Sequence, residues 1–158
     1  LDEDNWFTPN HLQAMLDLYT KSAALICTAR RTIHRMDGSM MPVTDLWSDG
    51  DANTDTNCMF LTRPAFPLLS TWVKIPPELG AICDRIYWSS IKQNAFRTAH
   101  AAIPTVRFRS LYQVHYDFIK EPAPLGAKSS EDVNKPILWL RGLPDKERNH
   151  WRSVLGVQ

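Results

Sequence analysis

The apolar positions of the chain change period several times, and each change marks an expected element. Thr8-Pro9 has the composition of a helix start, with Thr as the capping residue and Pro at the first helical position. Leu12, Met15, Leu16 and Tyr19 then follow the i, i+3, i+4, i+7 spacing of a one-sided helix. Ala23 to Thr28 is a short apolar run, predicted as a buried strand that can extend to Arg35. Asp37-Gly38 is a hairpin turn signal, with Met40 to Val43 as the returning strand. Trp47 to Thr54 is rich in Asp, Gly and Asn and reads as a loop. Asn57 to Thr62 reads as another buried strand.

Pro64 opens a short helix carrying Phe66, Leu69 and Trp72. Pro76, Pro77 and Gly80 make 74–80 a loop. A helix is expected from Cys83 to Asn94, with Ile82, Ile86 and Ile91 on its apolar side. Thr105 to Tyr116 alternates and predicts a strand, with a break near Ser110-Leu111. That alternation turns Val114 and Tyr116 to the core and His115 the other way. Residues 120–130, with Pro122, Pro124 and Gly126, read as a linker, and Pro144 to Leu155 as a tail helix. Strands alternating with helices predict an α/β domain. The first strand is expected to be parallel and central. The division is a body over 1–119 followed by a linker and helical tail over 120–158.

Composition narrows the partners. At 158 residues the chain can bury one core, and a formal charge of +1 gives no electrostatic case for nucleic acid. Three widely spaced cysteines, Cys27, Cys58 and Cys83, lack any zinc-ligand spacing. Cys27 and Cys58 read as buried thiols of a reducing compartment. No apolar run has the length of a transmembrane helix.

The chemistry begins at Asp2-Glu3-Asp4. Carboxylates at i and i+2 on a strand end point the same way and suit a hard divalent cation that also carries a phosphate ligand. A solvated acidic turn ahead of a helix is the commoner meaning of such a pair. Asp84 follows the Pro-rich loop at a helix start. It is either a first-turn acid favoured by the helix dipole or a general base at a cleft rim, with Arg85 beside it. Asp55 and Asn57 either end a loop through side-chain hydrogen bonds or line that cleft. His115 is either a hydrogen-bonded histidine or a third metal ligand beside Asp4. Arg30-Arg31, Arg35, Arg107 and Arg109 are basic positions near strand ends. They form a solvated face or recognise an anion. His11, His34, His100 and His150 show no ligand spacing.

Taken in order, Leu-Asp-Glu-Asp-Asn-Trp-Phe-Thr-Pro-Asn-His-Leu, Asp55-Thr-Asn-Cys-Met-Phe-Leu-Thr-Arg63, Trp72 and Cys83-Asp84-Arg85 resemble the second half of a family 2 glycosyltransferase of the GT-A fold, over roughly 1–116. The resemblance implies a partial GT-A fold, a mixed sheet flanked by helices, with the nucleotide-binding half absent and the chain a fragment inactive alone. It implies metal-dependent transfer of a sugar from a nucleotide-diphosphate sugar to an acceptor hydroxyl, saccharide or lipid-linked, with inversion. Asp4 would bind manganese or magnesium, assisted by Asp2 and with His115 as a later ligand. Asp84 would be the catalytic base, and Asp55, Asn57, Trp72 and Arg85 would contact substrate. A homo-oligomer covering the exposed sheet edge, and a cytoplasmic location extending to the membrane periphery, complete the expectation. Two other classes fit the same residues. A non-catalytic carbohydrate-binding module would use the Trp-rich surface. A phosphohydrolase would use Asp2, Asp4 and His115, though no second carboxylate set for two metals is evident.

Overall fold

A computed structural model describes residues 2–44 and 48–155. Leu1, Trp47 and the last three positions of the tail therefore lie outside the described residues. The described residues form an α/β domain around a four-stranded mixed sheet of order β1-β4-β2-β3. Its strands are β1 (Trp6–Phe7), β2 (Ile26–His34), β3 (Met59–Leu61) and β4 (Thr98–Arg109). β2 and β4 run parallel at the centre, while β1 and β3 are antiparallel edges.

The first strand is thus neither central nor parallel, against expectation. Residues 2–5 are consumed by a turn, closed by Asn5 N donating to Asp2 O at 3.2 Å. Only Trp6 and Phe7 remain to pair with β4, opposite Arg107 and Val106.

Helix α1 (His11–Ser22) starts later than Thr8-Pro9 suggested. Thr8 is committed elsewhere: its N–H donates to Thr105 O at 2.9 Å and its hydroxyl to Asn10 Oδ1 at 2.7 Å. The buried side of α1 is also rotated from the predicted stripe. His11 and Met15 are buried, whereas Leu12, Leu16 and Tyr19 are exposed. A hydrogen bond between His11 Nδ1 and Thr105 Oγ1 (2.7 Å) draws the histidine inward, and Met15 fills the space left by Ala24, Ala29 and Cys27.

Successive residues of a strand face opposite ways. Cys27 accordingly joins the cluster under α1, while Ile26 packs with Leu68, Tyr87, Trp88 and Ile91. That second cluster uses a 3₁₀ segment (Arg63–Leu68), α2 (Leu69–Trp72) and α3 (Cys83–Gln93), close to the predicted spans. The hairpin at Asp37-Gly38 closes, but the returning strand shrinks to a single bridge between His34 and Met40. Asn57 to Thr62 divides into a 3₁₀ turn (Thr56–Cys58) and β3.

The predicted strand over 105–116 is corrected most. β4 begins seven residues earlier, at Thr98, and ends at Arg109. Pro104 lies inside it, opposite Arg30, where the β2–β4 ladder carries register shifts. A proline in a strand is tolerated at such an irregularity. Ser110 then ends the strand. Its hydroxyl accepts from Tyr112 N at 3.1 Å and pairs with His115 Nδ1 at 2.6 Å, which starts α4 (Gln113–Ile119). On that helix His115 and Tyr116 are both buried and Val114 is exposed, contrary to strand alternation.

Beyond α4 stand two helices, not one: α5 (Ser130–Gly142) and α6 (Asp145–Leu155). Trp139, Leu140, Trp151 and Val154 pack on Leu79, Ile82 and Ile86, which joins the tail to the base of α3.

Candidate functional site

A cavity of about 320 Å³ opens beside the carboxyl ends of the parallel pair β2 and β4. In open α/β sheets this is the edge where ligands bind. Five segments distant in sequence build its wall. β2 contributes Arg31, the loop before β3 contributes Asn53 and Asp55, and the start of α3 contributes Asp84 and Arg85. Phe108, Tyr112 and His115 follow along the end of β4 and α4. Lys128 and the first turn of α5 complete it.

Asp84 sits in the first turn of α3 and is half-buried. Its Oδ1 accepts from Arg85 N at 2.8 Å. Burial pushes its carboxyl above the usual range, and the charge of Asp55 adds to the rise. The Arg85 N–H and the charges of Arg85 and Arg31 oppose it. A carboxylate raised in this way is better matched to accepting a proton near neutral pH.

Asp55 is committed on both oxygens. Oδ1 accepts from Asn57 N (2.8 Å) and Asn57 Nδ2 (2.9 Å), and Oδ2 pairs with Arg31 Nη1. The Asn57 contact is the side-chain turn that the loop reading expects of an Asp ahead of a strand. The Arg31 guanidinium also covers the Phe108 ring at 4.2 Å from its centroid. Arg31 is the first residue past the ladder irregularity on β2. His115 reaches the cavity wall with Nδ1 held by Ser110, and Tyr112 stands edge-on to its ring.

The residues singled out in sequence therefore separate into two groups. Asp55, Asp84, Arg85 and His115 line one cavity. Asn57 stands behind Asp55 and ties it to Asp2, whose Oδ2 accepts from Asn57 Nδ2 at 2.8 Å and from Asn5 Nδ2 at 3.4 Å. Asp4 lies half-buried in the turn before β1. Trp72 ends α2 with its ring edge-on to Tyr87, 5.5 Å between centroids, and does not line the cavity. Among the described residues, no three His, Cys, Asp or Glu side chains gather as a metal-ligand set, so Asp2, Asp4 and His115 do not form one by themselves.

Sequence reasoning passed over Tyr112, Lys128 and Ser129, because 110–116 read as strand and 120–130 as linker. A signal was present. Ser129-x-x-Asp132 is a capping box, with Ser129 Oγ accepting from Asp132 N and Asp132 accepting from Ser129 N. Such a box marks the start of α5.

The fold and cavity together define an α/β domain with a desolvated carboxylate in a cleft at the carboxyl end of a parallel strand pair. No protein-family model, characterised protein or solved structure was found to match the chain. No described helix is long and apolar enough to cross a membrane.

Proposed function

We propose that this chain carries the acceptor-side catalytic elements of a GT-A-type glycosyltransferase, which moves a sugar from a nucleotide-diphosphate sugar to an acceptor hydroxyl with inversion. One observation carries the reading. Asp84, singled out as the base, shares a cavity with Asp55, Arg85 and His115, and burial raises its carboxyl. Asp84 takes the proton of the acceptor hydroxyl as that oxygen attacks the anomeric carbon, and the bond to the diphosphate oxygen breaks. Arg85 and Lys128, on the same wall, orient the acceptor and offset negative charge.

A divalent metal supplies Lewis-acid stabilisation of the leaving diphosphate when bound. Magnesium-type ions are commonly held by one or two carboxylates with substrate phosphates and water completing the shell. Asp4 would be the carboxylate offered to such an ion, from the turn before β1, outside the lining of the Asp84 cavity. Asp2, tied to Asn57, serves the turn that carries Asp4.

The test is a titration of manganese followed by UDP or GDP, read by tryptophan fluorescence and thermal stability. Metal-dependent nucleotide binding that is lost in Asp4→Ala and retained in Asp84→Asn is the expected result. Oligosaccharide binding that needs neither metal nor nucleotide would replace this reading with a carbohydrate-binding module.

A further inference from the structure

Asp55 was singled out as a substrate contact, but both its oxygens are already spent within the protein. Asn57 holds Oδ1 through two N–H groups, and Arg31 holds Oδ2. The ion pair is almost closed to water, with side-chain exposures of 9% for Arg31 and 11% for Asp55. The flat face of the Arg31 guanidinium is further fixed over Phe108. Two opposite charges are thus locked in the wall of the cavity that Asp84 also lines.

We propose that Arg31 and Asp55 are positioning residues for Asp84, a fixed pair whose opposed charges govern when Asp84 holds and when it releases a proton. The inference rests on the reading of Asp84 as the base of the reaction. Its physical basis is that charges fixed in a poorly solvated cleft interact more strongly than surface charges, which water and salt screen. A neighbouring anion favours the protonated carboxyl and a neighbouring cation the ionised one. Asp55 and Arg31 therefore pull Asp84 in opposite directions, and the net effect depends on both being present.

The other groups facing Asp84 are unchanged by altering the pair. Arg85 and the Cys83 thiol adjoin it on α3, His115 lines the cavity from α4, and Lys128 does so ahead of α5.

The test is a carboxyl-carbon NMR titration of the full chain, with the Asp84 signal assigned by its loss in Asp84→Asn. Asp55→Asn keeps the size of the side chain and an acceptor oxygen toward Asn57, turns an amide NH2 toward Arg31 and removes the anion, so the Asp84 midpoint moves to lower pH. Arg31→Met removes the cation, and the midpoint moves to higher pH. The double variant returns it toward the wild-type position. Arg31→Met leaves a carboxylate buried without its cation and can fail to fold. Asp55→Asn in turn leaves the Arg31 guanidinium buried without its anion. The double variant leaves neither charge, and an Asp84 midpoint that moves in it by about one pH unit or more overturns the proposal without the single variants. A midpoint that stays in place or rises in folded Asp55→Asn overturns the proposal, whatever the chain catalyses. A midpoint that moves as stated, in a protein that binds no metal and nucleotide, upholds the pair and removes the transferase reading instead.

Discussion

Asn57 grips Asp2 twice across 55 residues of sequence: its Nδ2 donates to Asp2 Oδ2 and its Oδ1 accepts from Asp2 N, each at 2.8 Å. The same Nδ2 donates to Asp55 Oδ1. One buried amide therefore fastens the turn that carries Asp4 to the loop that lines the cleft. Removing it takes a partner from Asp2 N, from Asp2 Oδ2 and from Asp55 Oδ1. Asn57→Ala is expected to cost about 1–3 kcal/mol in urea unfolding. Asp2→Asn keeps an acceptor oxygen at the same place and should cost clearly less. Equal losses in the two variants would show that the Asp2 charge matters beyond this hydrogen bond.

Asp84 makes a distinct prediction about pH. Its folded carboxyl is raised above the ordinary value of 3.8, first by burial and then by Asp55. The folded protein thus holds this proton more tightly than the unfolded chain does. Stability falls as pH rises from 3.8 through the raised folded value and stays lower above it. Asp84→Asn should melt at a higher temperature than wild type at pH 7, with the gain fading as pH approaches 3.8. Metal-dependent nucleotide binding should survive in it, because the carboxyl removed is the base and not a metal ligand. A variant less stable than wild type at pH 7 would mean that the ionised carboxylate is a net stabiliser.

Local patterns were legible where local forces decide. Pro64 and the apolar spacing about Ile86 and Ile91 placed α2 and α3 near their observed spans, because caps, prolines and a single buried stripe act over a few residues. Asp84, Arg85, Asp55 and His115, singled out by residue type and position near element ends, come to line one cavity. Elements set by distant partners were not legible. Thr105, far along the chain, takes Thr8 and His11 and so moves both the start and the buried side of α1. Ser110 converts an alternating run into the start of α4 through its own hydroxyl. Pro136 sits inside α5, where a proline ordinarily interrupts a helix, so the pattern concealed an element that supplies part of the cleft wall.

Arg35 and Glu121 join the hairpin turn after β2 to the end of α4. Arg35 Nε donates to Oε2 and Nη2 to Oε1, each at 2.7 Å, a bidentate pair. The Arg35 hydrogen bond holds the Glu121 carboxyl below its ordinary value of 4.5. For a lowered acid, the stabilisation is complete above 4.5 and is lost as pH falls through the folded value. Wild type should therefore exceed Glu121→Gln in melting temperature at pH 7, with the difference closing in acid. The pair is partly exposed, so added salt should narrow the gap at pH 7 as well. A difference indifferent to pH and salt would point to packing of the Glu121 stem as its source.

Ala23 ends α1 in the left-handed region, with φ 50° and ψ 28°, and its N–H donates to Tyr19 O at 2.8 Å. The position belongs to glycine by geometry, because a Cβ there meets the following carbonyl. Ala23 is exposed, so glycine forfeits little packing. Against the relief stands the greater freedom that glycine gives the unfolded chain. The first effect is about 1–2 kcal/mol and the second about 0.4–1 kcal/mol, so relief wins. Ala23→Gly should stabilise the protein by about 0.8 kcal/mol, the difference of the midpoints of those ranges. Ala23→Val should destabilise it, because a β-branched side chain is least at home at positive φ. Denaturant midpoints of the two variants check both signs. A loss of stability in the glycine variant would mean that α1 is held in place through its end, by the chain's entry into β2, more than by its own cap.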